Sequence, residues 1–374
     1  MLQLFFKKIS LPVFVAALIS FGSLPSSYAD TIDYGAIGSP INLSVGYQPY
    51  YTESWSGLVM RNKKFYEKYL PKGSKVDFQV GLQGAVIVNS MLAGKEQIGY
   101  LGDMPSVVAV SKSDVAPISL VAVLGISKDL CNIFLVRKDA PDFKTPAEAL
   151  ASLNGKVVAA PKGSCVDRFV QSTFIKEKIK PSDYLNQSIE VITSNFRAGK
   201  IDAAALWEPT ASKLEEEGLA KRVASGYSVN ESDGAFLAMR GDLIKARPDI
   251  AQAWLNAELD AQLFMADPKN AKEMVDIGME YANGFTRSEI GKAIYGQRPD
   301  QNGSKIRFTM PFSFSADARD LITSAASFLK EIKVINNGTL PSDAINSSFA
   351  DNSLKARNLK SPIGSVPVIN PPPN

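Results

Sequence analysis

Four loops stand out where a strand-like segment meets a helix-like one, and the last two place glycine and a short polar side chain just before a helix. They lie at 47–51 (YQPYY), 81–85 (GLQGA), 102–105 (GDMP) and 161–165 (PKGSC). Glycine lets the backbone approach a ligand, and a helix start offers free N–H groups and partial positive charge, so such loops bind oxyanions without Lys or Arg. For any single loop, an ordinary N-cap at Asp103 or Ser164 is the better explanation. Their combined occurrence after strands in two parts of the chain predicts a binding cleft.

Aromatic and acidic side chains lie in or near the same loops. The aromatic residues are Tyr50, Tyr51, Trp55 and Trp207; the acidic residues are Glu53, Asp103, Asp167, Glu208 and Asp233, with Arg168 as the one guanidinium. The aromatic residues are candidates for one wall of the cleft. More carboxylates than bases would suit an amine or a zwitterion rather than a bare anion. The alternative is that several of these carboxylates face solvent or cap helices.

The composition excludes several classes of function. Histidine is absent from all 374 residues, which rules out Ser-His-Asp and Cys-His catalytic groups as well as His-ligated zinc. An enzyme would have to rely on carboxylates, Lys, Tyr or Cys alone. The formal net charge of +3 gives no basic surface for nucleic acid. We therefore expect a protein without enzymatic activity, metal, cofactor or nucleic-acid partner.

The first residues are typical of an export signal. Lys7 and Lys8 precede an apolar run at 9–21, and Ala29 ends a segment suited to signal-peptidase cleavage before Asp30. The run is shorter than the ~20 residues that a membrane span needs. We therefore predict a signal peptide at 1–29 and a periplasmic protein.

Export also bears on the two cysteines. Cys131 and Cys165 would meet an oxidising compartment, where one disulfide is possible. Two buried free thiols are the alternative, and the sequence does not decide between them.

The mature chain alternates strand-like and helix-like segments in two successive sets, which predicts doubly wound α/β lobes. We expect lobe 1 at 30–129 and 228–350, lobe 2 at 130–227, and a flexible tail at 351–374. Two crossings, at 124–130 and 227–234, would form a hinge, and the cleft would lie at the carboxyl ends of the strands. Among the individual elements, 189–192 (IEVI) is predicted as a strand.

A series of motifs resembles the periplasmic binding proteins for nitrate, sulfonates and taurine. These motifs are VGYQ, LAGKEQIGYLGDMPS, NIFLVRKDAP, LNGKVVAAPKGS, FRAGKIDAAALWEPT and FLAMRGDLIKARPDI, in that order between residues 41 and 350. The resemblance implies a type II periplasmic-binding-protein fold. By position it also implies ligand contacts at Gln48, Gln83, Gly84, Gly102, Asp103, Gly163, Ser164, Cys165 and Trp207, with Glu208 close by. Tyr50 and Asp233, which lie in or near the loops described above, are further ligand-binding candidates.

The resemblance further implies a monomeric solute-binding component of an ABC importer, with a permease and its ATPase in the inner membrane as partners. The expected solute is a small organic sulfonate or a related oxyanion or zwitterion, captured by hinge closure. The chain departs from the family pattern at 165–168 (CVDR), which leaves the solute open. The alternatives are an exported ligand sensor for a membrane receptor and an enzyme similar to the pyrimidine synthase of the same fold.

Overall fold

The computed structural model describes residues 32–301 and 303–373; the predicted signal peptide at 1–29 lies outside them. The strands are β1 (Asn42–Tyr47), β2 (Lys75–Val80), β3 (Ile98–Gly102), β4 (Ile118–Ser127), β5 (Ile133–Arg137), β6 (Val157–Ala160), β7 (Asp183–Asn186), β8 (Ala203–Leu206), β9 (Ala220–Ser225), β10 (Asp233–Arg240), β11 (Ile306–Met310) and β12 (Gly364–Pro367). The helices are α1 (Ser56–Lys63), α2 (Gly84–Leu92), α3 (Asp103–Val110), α4 (Pro146–Ala151), α5 (Cys165–Lys176), α6 (Ile189–Arg197), α7 (Thr210–Glu216), α8 (Gly226–Val229), α9 (Gly241–Ala246), α10 (Pro248–Ala266), α11 (Ala271–Tyr281), α12 (Arg287–Tyr295), α13 (Ala316–Glu331) and α14 (Ser348–Ala356).

The strands form two separate sheets, one in each lobe. The larger sheet has the order β12-β11-β4-β10-β3-β1-β2, and the smaller has the order β7-β6-β8-β5-β9. Strands β1, β2 and β3 run parallel, as do β6, β7 and β8. The carboxyl ends of parallel strands meet at one edge of a sheet, so the loops after them lie close together.

Each lobe has its own hydrophobic core. In lobe 1, helices α2, α3 and α13 cover the sheet through buried residues such as Ile87, Val107 and Ile322. In lobe 2, Ile192 of α6 and Leu214 of α7 belong to a second buried cluster. Strand β10 is buried along its whole length, which accounts for its nearly continuous apolar run. No helix within 32–301 and 303–373 combines the length and hydropathy required to cross a membrane.

The chain passes between the sheets twice, at 128–132 and at 226–232. Asp233, the first residue of β10, connects the two crossings: its buried carboxylate accepts hydrogen bonds from the hydroxyl of Ser127 and from the backbone N–H groups of Cys131 and Asn132. Burial raises the pKa of Asp233 to about 6, and the hydrogen bond from Ser127 works in the opposite direction.

The segment predicted as a strand at 189–192 is a helix instead. The hydroxyl of Ser188 accepts a hydrogen bond from the N–H of Val191, which caps the start of α6. Ile192 and Phe196, four residues apart, are the buried face of this helix. The strand of this region is the earlier segment β7, whose residues are exposed or half-buried.

The predicted flexible tail at 351–374 also differs from the structure. Helix α14 extends to Ala356, and the side chain of Ser353 is buried and hydrogen-bonded to Gln252 and Asn256 of α10. Strand β12 pairs antiparallel with β11, and Val366 is fully buried there. The segment contains few apolar residues, and this polar composition led to the prediction of a flexible tail. In the structure, hydrogen bonds between polar side chains and the pairing of one edge strand order it.

Candidate functional site

A small cavity lies between the lobes, at the loops that follow β1, β2, β3, β6 and β8. It is lined by Gln48, Tyr51, Gln83, Gly84, Ala85, Gly102, Pro105, Pro161, Lys162, Gly163, Ser164, Cys165 and Trp207. The centre of a water molecule can reach about 60 Å³ of it. Since a single water needs roughly 10–15 Å³, the cavity has room for a few waters or for a solute with a handful of non-hydrogen atoms.

Three helices begin at this cavity, two from lobe 1 and one from lobe 2. Helix α2 starts at Gly84, α3 at Asp103 and α5 at Cys165. The N–H groups of a first helical turn have no intrahelical acceptor, and the aligned peptide dipoles make this end partly positive. The N–H groups of Gly84, Ala85 and Cys165 therefore give the cavity an anion-binding character supplied by the backbone.

Two glycines allow these helix starts to lie where they do. A side chain at Gly84 would collide with the ring of Pro105, whose Cβ would be 2.7 Å from the added carbon. Gly84 is therefore required for the close approach of α2 and α3. Gly163 has φ +77°, a left-handed conformation that disfavours other residues and turns the chain into α5.

The polar side chains around the cavity are held by fixed hydrogen bonds. Gln48 Nε2 donates to the carbonyl of Tyr100 at 3.0 Å, and the hydroxyl of Ser164 donates to the carbonyl of Pro161 at 2.6 Å. The hydroxyl of Tyr51 donates to Glu53 at 2.6 Å. Burial, followed by the charge of Glu53, raises the pKa of Tyr51 well above its usual range. These side chains are therefore oriented before a solute arrives.

Trp207 bridges the lobes at the cavity wall. Its indole Nε1 donates a hydrogen bond of 2.8 Å to the backbone carbonyl of Tyr50. A second contact between the lobes lies beside it, where the N–H of Thr52 donates to the carbonyl of Glu208 at 3.3 Å. The ring of Tyr50 lies near Phe285 with 6.0 Å between centroids, and Tyr50 does not line the cavity.

The three carboxylates predicted to contact a ligand are buried and bonded elsewhere. Asp103 pairs with Arg168 at 3.0 Å, and Asp233 binds the crossings described above. Glu208 pairs with Arg222 at 2.5 Å and Arg298 at 2.6 Å. Burial by itself would raise the pKa of Glu208, but the neighbouring arginines outweigh it and hold the pKa below its usual range.

These positions divide the predicted binding set into residues that line the cavity and residues that do not. Among the described residues, none of those that line the cavity is an Asp or Glu. Tyr50, Asp103, Glu208 and Asp233 are therefore outside the lining. The predicted residues that do line the cavity are Gln48, Gln83, Gly84, Gly102, Gly163, Ser164, Cys165 and Trp207. Their contact with a solute stays a prediction.

The lining also includes residues that the predicted set omitted, namely Tyr51, Ala85, Pro105, Pro161 and Lys162. All of them belong to the loops singled out by sequence, and Tyr51 was also a candidate for the aromatic wall. The predicted set came mainly from the positions that the resemblance implies, whereas a ligand-binding cavity is lined mostly by apolar residues between a few polar groups. Lys162 is an exposed cation at the rim, with its Nζ 5.0 Å from the centre of the Tyr184 ring.

The two cysteines form a disulfide, which decides between the alternatives left by the sequence. It joins Cys131, at the end of the first crossing, to Cys165, the first residue of α5. The bond therefore attaches a cavity-lining helix start to the first crossing between the sheets. Within the part of the chain that the structure describes, no group of three or more Cys, Asp or Glu side chains is arranged to hold a metal ion.

Residues 39–279 match the NMT1-like family. The chain is 27% identical over 308 residues to the taurine-binding periplasmic protein of Escherichia coli (strain K12). The matched region covers 78% of this chain and 87% of that protein.

The fold is similar to that of two solved structures. The alkanesulfonate-binding protein SsuA from Xanthomonas axonopodis pv. citri bound to MOPS has a TM-score of 0.64 at 19% identity, covering 83% of this chain and 99% of that one. The desulfurization enzyme DSZB has a TM-score of 0.62 at 17% identity, covering 84% and 99%. At these identities the similarity concerns the fold alone, and it includes both a binding protein and an enzyme.

Proposed function

Because the chain belongs to the NMT1-like family, we propose that it is the periplasmic solute-binding component of an ABC importer. The similarity to a taurine-binding periplasmic protein and the cavity between the two lobes support this proposal. The predicted signal peptide would export the chain. A permease and its ATPase in the inner membrane would be the partners that receive the solute.

The proposed solute is a small organic sulfonate or a related oxyanion. The observation that carries this proposal is the convergence of three helix starts on a cavity whose lining includes no Asp or Glu among the described residues. Backbone N–H groups would bind the acidic oxygens, and Lys162 at the rim would attract the anion. The rings of Tyr51 and Trp207 would pack against the rest of a short solute.

A zwitterion is the second candidate, since the same two rings favour it. A cation within about 6 Å of an aromatic face gains about 0.5–2 kcal/mol. The carboxylates that could have paired with an amine (Asp103, Glu208 and Asp233) are bonded elsewhere. We therefore expect the acidic group of a zwitterion to supply most of the binding free energy.

The proposed mechanism is capture by closure of the lobes about the crossings at 128–132 and 226–232, without bond chemistry. The bonds from Trp207 to Tyr50 and from Thr52 to Glu208 would form on closure. The protein contains no histidine, and both of its cysteines are in the disulfide. It therefore offers neither a thiol nucleophile nor an imidazole base, which supports binding rather than an enzymatic reaction.

A thermal-shift panel tests the proposal on residues 30–374, freed of bound solute by unfolding and refolding with the disulfide intact. The panel contains ethanesulfonate, taurine, nitrate, sulfate, acetate, amino acids and ethylamine. A ligand at 100 times its dissociation constant adds ~2.7 kcal/mol to the free energy of unfolding, which gives a measurable rise in Tm. We expect ethanesulfonate and taurine to raise the Tm. A rise with ethylamine alone would contradict the proposed solute class.

Transport and sensing are separated by deleting the gene. Loss of uptake of the solute would support the importer. Intact uptake with loss of a transcriptional response to that solute would identify a sensor instead.

A further inference from the structure

An ion pair joins the lobes directly behind the cavity. Arg168 lies one turn into α5 of lobe 2, and Asp103 is the first residue of α3 of lobe 1. Arg168 Nη2 donates to Asp103 Oδ2 at 3.0 Å, and the side chains are only 9% and 0% exposed. We propose that Arg168 is a positioning residue for solute binding: its ion pair with Asp103 holds the cleft closed and sets the rate of solute release.

The two partners would differ in what they lose when the lobes separate. Arg168 also donates to the carbonyl of Ser232 at 2.8 Å and lies 3.5 Å from Glu231, both in the second crossing. The other bond of Asp103 is to the N–H of Met104, within its own helix, at 2.7 Å. Arg168 therefore keeps partners near the hinge, whereas Asp103 loses its cationic partner. Separation of the lobes would leave the buried Asp103 carboxylate without its charge partner, which costs free energy, so the pair favours the closed state.

The pair and the proposed solute would act on the same two helices. Cys165, which lines the cavity, is three residues before Arg168, and Gly102 lines the cavity immediately before Asp103. The disulfide to Cys131 fixes the start of α5 to the first crossing. A solute held between the helix starts and the ion pair behind them therefore stabilise one arrangement of the lobes. This inference rests on the proposed function for its link to a solute.

The experiment measures release and association rates of ethanesulfonate by stopped-flow fluorescence, with Trp207 as the reporter. The variants are Arg168→Met, Arg168→Lys, Asp103→Asn and the double variant Arg168→Met/Asp103→Asn. Asp249→Asn is the control, because the pair of Asp249 with the buried Arg247 at 2.9 Å lies within lobe 1. We expect Arg168→Met to speed release at least tenfold, equivalent to about 1.4 kcal/mol, and to change the association rate by less than about threefold.

The other variants separate positioning from a general loss of structure. Arg168→Lys keeps one charge and should give an intermediate release rate. The double variant should cost less than the sum of the single changes, because both remove the same pair. Asp249→Asn should lower the Tm and leave the release rate unchanged. A release rate for Arg168→Met equal to that of the wild type would overturn the inference, and if that variant does not fold, the same comparison is made with Arg168→Lys.

Small-angle X-ray scattering of the ligand-free proteins keeps this test separate from the solute proposal. The inference predicts a larger radius of gyration for Arg168→Met than for the wild type and Asp249→Asn. If the wild type binds no ethanesulfonate but this difference is observed, the proposed solute is wrong and the pair still closes the lobes. Equal radii in that case would overturn the role of the pair.

Discussion

Replacing Trp207 by Phe isolates the hydrogen bond that the indole makes across the cleft. The change keeps an aromatic ring against the cavity but removes the Nε1 donor, whose bond to the Tyr50 carbonyl is 2.8 Å long. A hydrogen bond between neutral groups contributes about 0.5–1.5 kcal/mol, more when the acceptor is left buried without a partner. The dissociation constant should therefore rise about two- to twelvefold. Trp207→Ala also removes the ring and should weaken binding by at least tenfold, about 1.4 kcal/mol.

The assay is isothermal titration calorimetry with ethanesulfonate, and Trp254→Phe is the matched control. Trp254 is fully buried in lobe 1, stacked on Tyr66 with 5.9 Å between centroids. Its replacement should lower the Tm without changing the affinity. If Trp207→Phe binds as tightly as the wild type, the bond between Trp207 and Tyr50 does not contribute to the closed state. If Trp207→Ala also binds normally, Trp207 is not part of the solute site.

The remaining predictions concern stability and packing. Reduction of the Cys131–Cys165 bond, which spans 34 residues, should lower the free energy of unfolding by about 3–4 kcal/mol in the chain-entropy model. An unchanged urea midpoint after complete reduction would contradict this prediction. Burial raises the pKa of Glu258 from 4.5 to about 7, so the folded state binds the proton more tightly than the unfolded chain. The free energy of unfolding that this proton contributes is therefore lost as the pH rises from about 4.5 to 7. Glu258→Gln should therefore raise the free energy of unfolding at pH 8 by roughly 2.5 kcal/mol more than at pH 5. An equal effect at both pH values would refute the buried carboxyl as the cause. Gly84→Ala should cost about 1–3 kcal/mol and weaken solute binding, because the added carbon collides with Pro105; a fully stable variant with normal affinity would show that α2 and α3 can move apart freely.

The loops around the cavity could be predicted because their signals are local. Gly163 and Ser164 are adjacent in sequence, and the chemistry of a turn followed by a helix start depends on a few neighbouring residues. The repeated strand–helix pattern then predicted that loops from both lobes meet at the carboxyl ends of strands. The fold class followed from the same pattern and from the motif series.

The ion pairs of the buried carboxylates could not be predicted, because their partners are distant in sequence. Glu208 is neutralised partly by Arg298, 90 residues away, and Asp103 by Arg168, 65 residues away. No local pattern reveals such pairs, so these acidic residues were predicted to contact a ligand. The prediction of a strand at 189–192 was wrong for a related reason. The β-branched residues of this segment favour a strand locally, but the cap at Ser188 and the burial of Phe196 favour a helix.

The most direct test of the central claim is a backbone amide NMR titration of the deuterated, ¹⁵N-labelled protein with ethanesulfonate. If the claim is correct, saturable shifts occur at the N–H groups of Gly84, Ala85 and Cys165, at the starts of α2 and α5 in the two lobes. The amides of α14, far along the chain from these loops and packed on α10, serve as the internal reference. Saturable binding that leaves the helix starts unshifted, or no binding while ethylamine shifts these amides, would contradict it.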